Sequence, residues 1–154
     1  MNLQMRHLLA VAGIGLASIC FAQVTTPSLS YMKGSSDLIA SGVVTTIVGT
    51  ADVDPDFGAQ VFRANVLIDG VMKATGKIPN NGNSICVLFV PGLSESPIIK
   101  VGAKYVFFLV AHNDCYDPNL LHRGVLPVVN GKVRTIELRG EPEWQPYKVF
   151  MKSP

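Results

Sequence analysis

Apolar residues along the chain follow two rhythms, and each predicts a different kind of strand. Phe62, Ala64, Val66 and Ile68 alternate with Arg63, Asn65 and, further on, Asp69. A period of two with one polar side reads as a strand buried on a single face. Residues 105–111, by contrast, are apolar at every position, as expected of a strand covered on both faces. Residues 38–48 form a β-branched run interrupted by Gly42, and glycine inside a strand marks a bulge or a sharp bend. A shorter apolar run, 85–90, follows the polar loop 80–83.

The intervening stretches read as connections. Residues 49–59 link the first two strands, and Asp69-Gly70 predicts a turn. Asp117 followed by Pro118, with Gly124 seven positions after Asp117, predicts one short helix capped by Asp117 and stopped by Gly124. Asn130-Gly131 between valines predicts a two-residue hairpin, because both central positions of that turn require positive φ. The tail around Pro142 and Pro146 predicts little regular structure. Five or six short strands with one short helix predict an all-β domain, a small closed or partly open barrel ahead of a sandwich, because Gly42 bends a long first strand.

The longest apolar block belongs to neither rhythm. Arg6 and His7 precede the apolar run 8–19, and Cys20-Phe21-Ala22 places small residues where a signal peptidase cuts. A run of about a dozen residues is short of the roughly 20 needed to cross a bilayer, so residues 1–22 predict a signal peptide with cleavage after Ala22. An acyl anchor on Cys20 would need cleavage after Ile19, a poor residue before a cut. The expected division is signal peptide 1–22, flexible leader 23–36 and barrel with C-terminal tail 37–154. Removing 22 residues from 154 leaves 132, enough for one self-sufficient core.

Charge narrows the partners. Without Arg6 the chain carries 12 basic and 11 acidic residues, with no basic stripe of the kind that marks a nucleic-acid binder. No other apolar run approaches spanning length. The expectation is therefore a secreted or periplasmic monomer with no transmembrane anchor, no cofactor and a protein partner, a protease or an envelope component. In an oxidising compartment the two remaining cysteines, Cys86 and Cys115, are expected to pair.

Several clusters carry residue types used in chemistry. Asp52, Asp54 and Asp56 alternate like the start of a calcium loop, but Pro55 intrudes and Arg63 stands where a closing glutamate belongs. A solvated acidic loop is the favoured reading. His112, Cys115 and His122, with Cys86, have zinc-ligand chemistry without a zinc-site spacing. A nucleophilic Cys115 served by His112 or His122, with Asp114 or Asp117 as orienter, would make a hydrolase, yet the disulfide would abolish it. Trp144, Tyr147 and Phe150 form either a partner-contact patch or a tail tucked against the barrel.

Three segments together resemble a known family. Residues 36–44, Ser-Asp-Leu-Ile-Ala-Ser-Gly-Val-Val, are followed by 62–70, Phe-Arg-Ala-Asn-Val-Leu-Ile-Asp-Gly, then Cys86, then 102–109, Gly-Ala-Lys-Tyr-Val-Phe-Phe-Leu. Over residues 36–133 this is similar to the netrin-like domain of tissue inhibitors of metalloproteinases and their bacterial secreted relatives, with Asp69-Gly70 in place of the usual lysine-glycine pair. The resemblance implies an OB-type five-stranded barrel. It also implies, as an alternative function, metalloprotease inhibition through an N-terminal cysteine that chelates the target's zinc. Cys86 matches the mid-domain cysteine that holds that residue, and Cys20 would be the chelator; cleavage after Ala22 removes it. The leading expectation is a secreted, non-enzymatic binding module.

Overall fold

The computed structural model of the protein describes residues 26–76, 78 and 83–153. The expected signal peptide, with Cys20, lies outside the described residues, as do Asn80, Asn81 and Gly82. Eight strands follow a first helix: α1 (Leu29–Ser35), β1 (Leu38–Val53), β2 (Gln60–Ala74), β3 (Ser84–Phe89), β4 (Lys104–His112), β5 (Cys115–Pro118), β6 (Val125–Val129), β7 (Lys132–Arg134) and β8 (Trp144–Pro146), with α2 (Tyr147–Phe150) last. β1, β2, β3, β5 and β4 close into a ring, because β1 pairs with both β2 and β4. β3 and β5 run parallel and the other neighbours antiparallel. This is the expected OB-type five-stranded barrel. β6, β7 and β8 extend the sheet outward from β4.

Strand alternation divides the side chains between two cores. Leu38, Ala40, Ala64, Val66, Val87, Phe89, Tyr105, Phe107 and Leu109 point inward and fill the barrel. Their neighbours Ile39, Val106 and Phe108 point outward and are buried as well, under Met32 of α1, Phe150 of α2 and Leu126 and Val133 of the added strands. Phe108 meets the Phe150 ring edge-on, with centroids 6.4 Å apart, a favoured aromatic geometry. The continuous apolar run of β4 thus has the cause expected of it, up to Leu109; Val110 is already exposed.

β1 is bent where the sequence placed a glycine. Its pairing with β2 slips between Ser41 and Gly42, and a Cβ at Gly42 would sit 2.5 Å from the Leu67 carbonyl oxygen. Only glycine allows the two backbones this approach. The first part of β1 pairs with β4 as far as Val43 and Lys104, and Val44 exchanges backbone bonds with Gly102 and Ala103. Beyond Val44 the strand is an arm paired with β2 alone, and among the described residues its other flank has no backbone partner. The arm carries two further slips, between Val44 and Thr46 and between Gly49 and Val53.

Four local expectations need correction. Asp69-Gly70 is not a turn but lies inside β2, whose end still pairs with the start of β1. The connection after β1 is shorter than expected, since β1 runs to Val53 and the chain turns between Asp54 and Ala59. Asp117 and Pro118 end β5 instead of capping a helix; only a 3₁₀ turn, Leu121–Gly124, follows. Leu120 and Leu121 both adopt positive φ, 53° and 56°, which breaks the helical path at the expected first turn. The stretch expected as a leader carries α1, whose start is capped by Ser28 Oγ accepting the Tyr31 amide at 3.1 Å. Met32 anchors it at zero exposure.

The Asn130-Gly131 hairpin joins β6 to β7, with φ of 50° and 70° at the two residues, the conformation its sequence predicts. The tail is more ordered than its prolines suggest, because β8 pairs with β7 before α2 packs on β4.

Candidate functional site

The alternation on β2 leaves its other face uncovered, and a cleft forms there. Arg63 of β2 and Leu88 of β3 are cross-strand partners, on the side opposite the buried Ala64 and Val87. Around them the turn after β1, the loop after β3 and the turn between β4 and β5 stand up as walls. They enclose a cleft of about 500 Å³, within the range of ligand pockets, about 300–1,000 Å³. Its apolar surface comes from Val61, Leu88, Phe89, Val90, Leu93 and Leu121. The carboxylates stand on both walls: Asp52 and Asp54 on one side, Asp114 and Asp117 on the other, with Glu95 in the loop after β3.

The charge asymmetry is large. These five are nearly half of the chain's eleven acidic residues, whereas Arg63 is the single one of its 13 lysines and arginines placed there among the described residues. Asp54 is also structural, since its Oδ1 accepts the amides of Asp56 and Phe57 at 2.9 and 3.0 Å and so shapes the turn. Asp117 is 2.6 Å from His112 Nδ1. Glu95 lies 3.2 Å from His122 Nδ1, whose other ring nitrogen is 3.6 Å from Glu137. Among the described residues the carboxylates of Asp52 and Asp114 have no ion-pair or hydrogen-bond partner.

One edge of the cleft is fixed covalently. Cys86 and Cys115 form the expected disulfide, with Cα atoms 4.7 Å apart. It stands beside the weakest join of the ring, where β3 and β5 share the single residue pair Val87 and Tyr116. Closing a loop of this length contributes about 3–4 kcal/mol in the chain-entropy model. The bond also decides the chemistry that the sequence left open. Cys115 has no free thiol for a nucleophile or a thiolate ligand, and His112 and His122 are turned to separate carboxylates. Among the described residues no three His, Cys, Asp or Glu side chains converge as a metal would need.

The aromatic tail resolves differently for each ring. Phe150 has zero exposure and belongs to the outer core, so it cannot touch a partner. Tyr147 is half-buried against that core, and its hydroxyl lies 2.6 Å from Ser41 Oγ. Trp144 alone is exposed. None of the three lines the cleft.

Tyr147 belongs to a polar cluster that sequence spacing does not reveal. Ser41 Oγ donates to Asp69 Oδ1 at 2.6 Å, Lys104 Nζ is 2.6 Å from Asp69 Oδ2, and the same ammonium sits 4.0 Å above the Tyr147 ring. Burial pushes Asp69 upward, but hydrogen bonds from Lys104 and Ser41 outweigh it and hold the carboxyl below its ordinary range. Burial pushes Lys104 downward, and its contacts with Asp69 and Tyr147 outweigh that and hold it above the usual lysine range. Ser41 has zero exposure and Asp69 and Lys104 are only partly exposed, and the cluster ties the tail to β1, β2 and β4. Arg63, Leu88 and Glu95 were equally invisible as site residues; only the strand alternation, which left one face of β2 uncovered, signalled where to look. No protein-family model matches the chain, and no curated protein matches it.

Proposed function

We propose that this is an exported binding module that holds a partner protein in the cleft over β2 and β3 and carries out no covalent chemistry. The observation that carries this reading is the cleft itself, an apolar concavity between the turns that follow β1 and β4. OB-type barrels bind ligands on the face of their second and third strands between those same two connections, and this likeness of fold supports the same placement here. Oligonucleotides, which such barrels often bind, are disfavoured by five carboxylates facing one arginine. Export is supported by the signal-like start and by the disulfide, which persists in oxidising compartments. Among the described residues no helix is long and apolar enough to cross a membrane.

The resemblance to the netrin-like domain supports the same barrel but not its inhibitory mechanism. Cys86, which would have to hold an N-terminal cysteine, is bonded to Cys115. The test has two parts. The intact mass of the protein is expected to match a chain beginning at Gln23 and to gain two hydrogens on reduction; a chain that keeps residues 1–22 overturns the export reading, and a start at Cys20 restores the chelating cysteine that this reading removes. Amide chemical-shift mapping against short peptides, a neutral oligosaccharide and a single-stranded oligonucleotide is expected to move resonances of Arg63, Leu88 and Asp114 with a peptide. Shifts confined to residues outside the cleft would overturn the assignment of the site.

A further inference from the structure

We infer that the cleft takes an extended, cationic segment of a partner protein, in which lysine or arginine side chains alternate with apolar ones; this rests on the reading of the cleft as the binding site. Two independent features point there. The first is the distribution of charge. Asp52 and Asp114 belong to different walls, the end of β1 with the turn after it and the turn between β4 and β5; both are exposed, and neither carboxylate has a partner among the described residues. A single cation would satisfy one wall and leave the other. A chain with basic groups at intervals satisfies both.

The second feature is the surface between the walls. Leu88, Leu93 and Leu121 present apolar area there, and Phe57 and Val53 add exposed rims at 48% and 61%. A hydrophilic polycation would leave this surface wet, whereas apolar side chains between the basic ones would cover it. Alternation is also what an extended peptide supplies, because successive side chains point to opposite sides. Opposed potentials of this kind speed encounter and reject acidic competitors.

The experiment uses the full exported protein, isotope-labelled, and capped hexapeptides alternating leucine with arginine, with glutamate or with serine. The leucine-arginine peptide is expected to move the amides of Arg63, Leu88 and Asp114, and to bind more weakly as salt is raised. In the double variant Asp52→Asn, Asp114→Asn its affinity is expected to fall about tenfold or more, as loss of charge-assisted contacts predicts. Both positions are exposed, and an unchanged spectrum of the free variant verifies its fold. If the glutamate or serine peptide binds the cleft as tightly, the cleft remains a binding site and the cationic inference falls. Undiminished binding by the double variant overturns it too, as does concentration-dependent shifting of the cleft without peptide, which would make a second copy the occupant. If no peptide moves cleft resonances, the inference and the reading beneath it both fall.

Discussion

The barrel has two outer faces, and the chain treats them oppositely. On β4 and the first part of β1, the outward residues Ile39, Val106 and Phe108 are sealed beneath α1, α2, β6 and β7. On β2 the outward Arg63 and Leu67 remain exposed, and across on β3 Leu88 is only partly buried. Both faces belong to the same ring, so the barrel itself does not cause the difference. α1 and the segment from β6 to α2 cause it, by folding over one side; among the described residues the other is left to water and to the cleft. An uncovered face on an otherwise double-layered domain is where a partner finds apolar area without displacing the protein's own chain.

The sharpest way to break this contrast is to shorten an outward residue on each face. Phe108→Ala is expected to cost about 3–5 kcal/mol, as for other buried aromatics, while Leu67→Ala, 51% exposed, should cost about 0.5 kcal/mol or less. Urea denaturation of the two variants measures both; equal losses would erase the distinction. The disulfide tests the open side next. Replacing Cys86 and Cys115 together by serine should remove about 3–4 kcal/mol, and hydrogen exchange should rise first at Val87 and Tyr116, with the sealed face protected for longer. Uniform loss of protection would mean that the two faces unfold as one.

Gly42→Ala probes the bend from which both faces depart. The added methyl meets the Leu67 carbonyl, and overpacking of this sort costs about 1–3 kcal/mol, readable as a fall in the thermal midpoint. The smallest effect is expected from the ion pair that fastens the tail to the sealed side. Asp69, held low in the fold, contributes stability at neutral pH that is lost as pH falls through its folded pKa, below the ordinary carboxylate value of about 4. Lys104, held high, contributes stability that is lost as pH rises through its folded pKa, above the usual lysine range. The pair is partly exposed, so the contribution is about 1 kcal/mol or less. Asp69→Asn should flatten the acid limb of stability against pH and leave peptide binding in the cleft unchanged; an unaltered limb would show that the pair is too screened to matter.

Much of this contrast was legible before any coordinates. The two apolar rhythms mark which strand is covered on both sides and which on one, because burial acts on each side chain separately and leaves its period in the sequence. Gly42 and the Asn130-Gly131 turn were readable for similar local reasons, and the cysteine pair from the count of cysteines left to an oxidising compartment. What covers β4 was not. Residues 29–35 show no helical period, and α1 is held by Met32, a Ser28 cap and the Asn119 amide, which donates to Ser35 and Ser36 Oγ at 2.8 and 2.9 Å. The two Asn119 bonds span more than 80 positions and leave no mark on local sequence. The same holds for the cleft: Asp52 and Asp54 looked like an isolated acidic loop, and only the ring closure brings Asp114 and Glu95 round to face them. Asp117 misled for the opposite reason, since its cap-like setting was overridden by the pairing of β5 with β4.

The arm of β1 beyond Val44 adds a consequence for life at high concentration. A flank of unpaired N–H and C=O groups on β-branched residues is a template on which identical molecules can stack into fibres. Its two slips in register coil the flank and spoil its flatness, as bulges do at other strand edges. The irregularity that makes this strand untidy is thus a built-in guard against fibrillation, placed on a part of the molecule that neither α1 nor α2 shields.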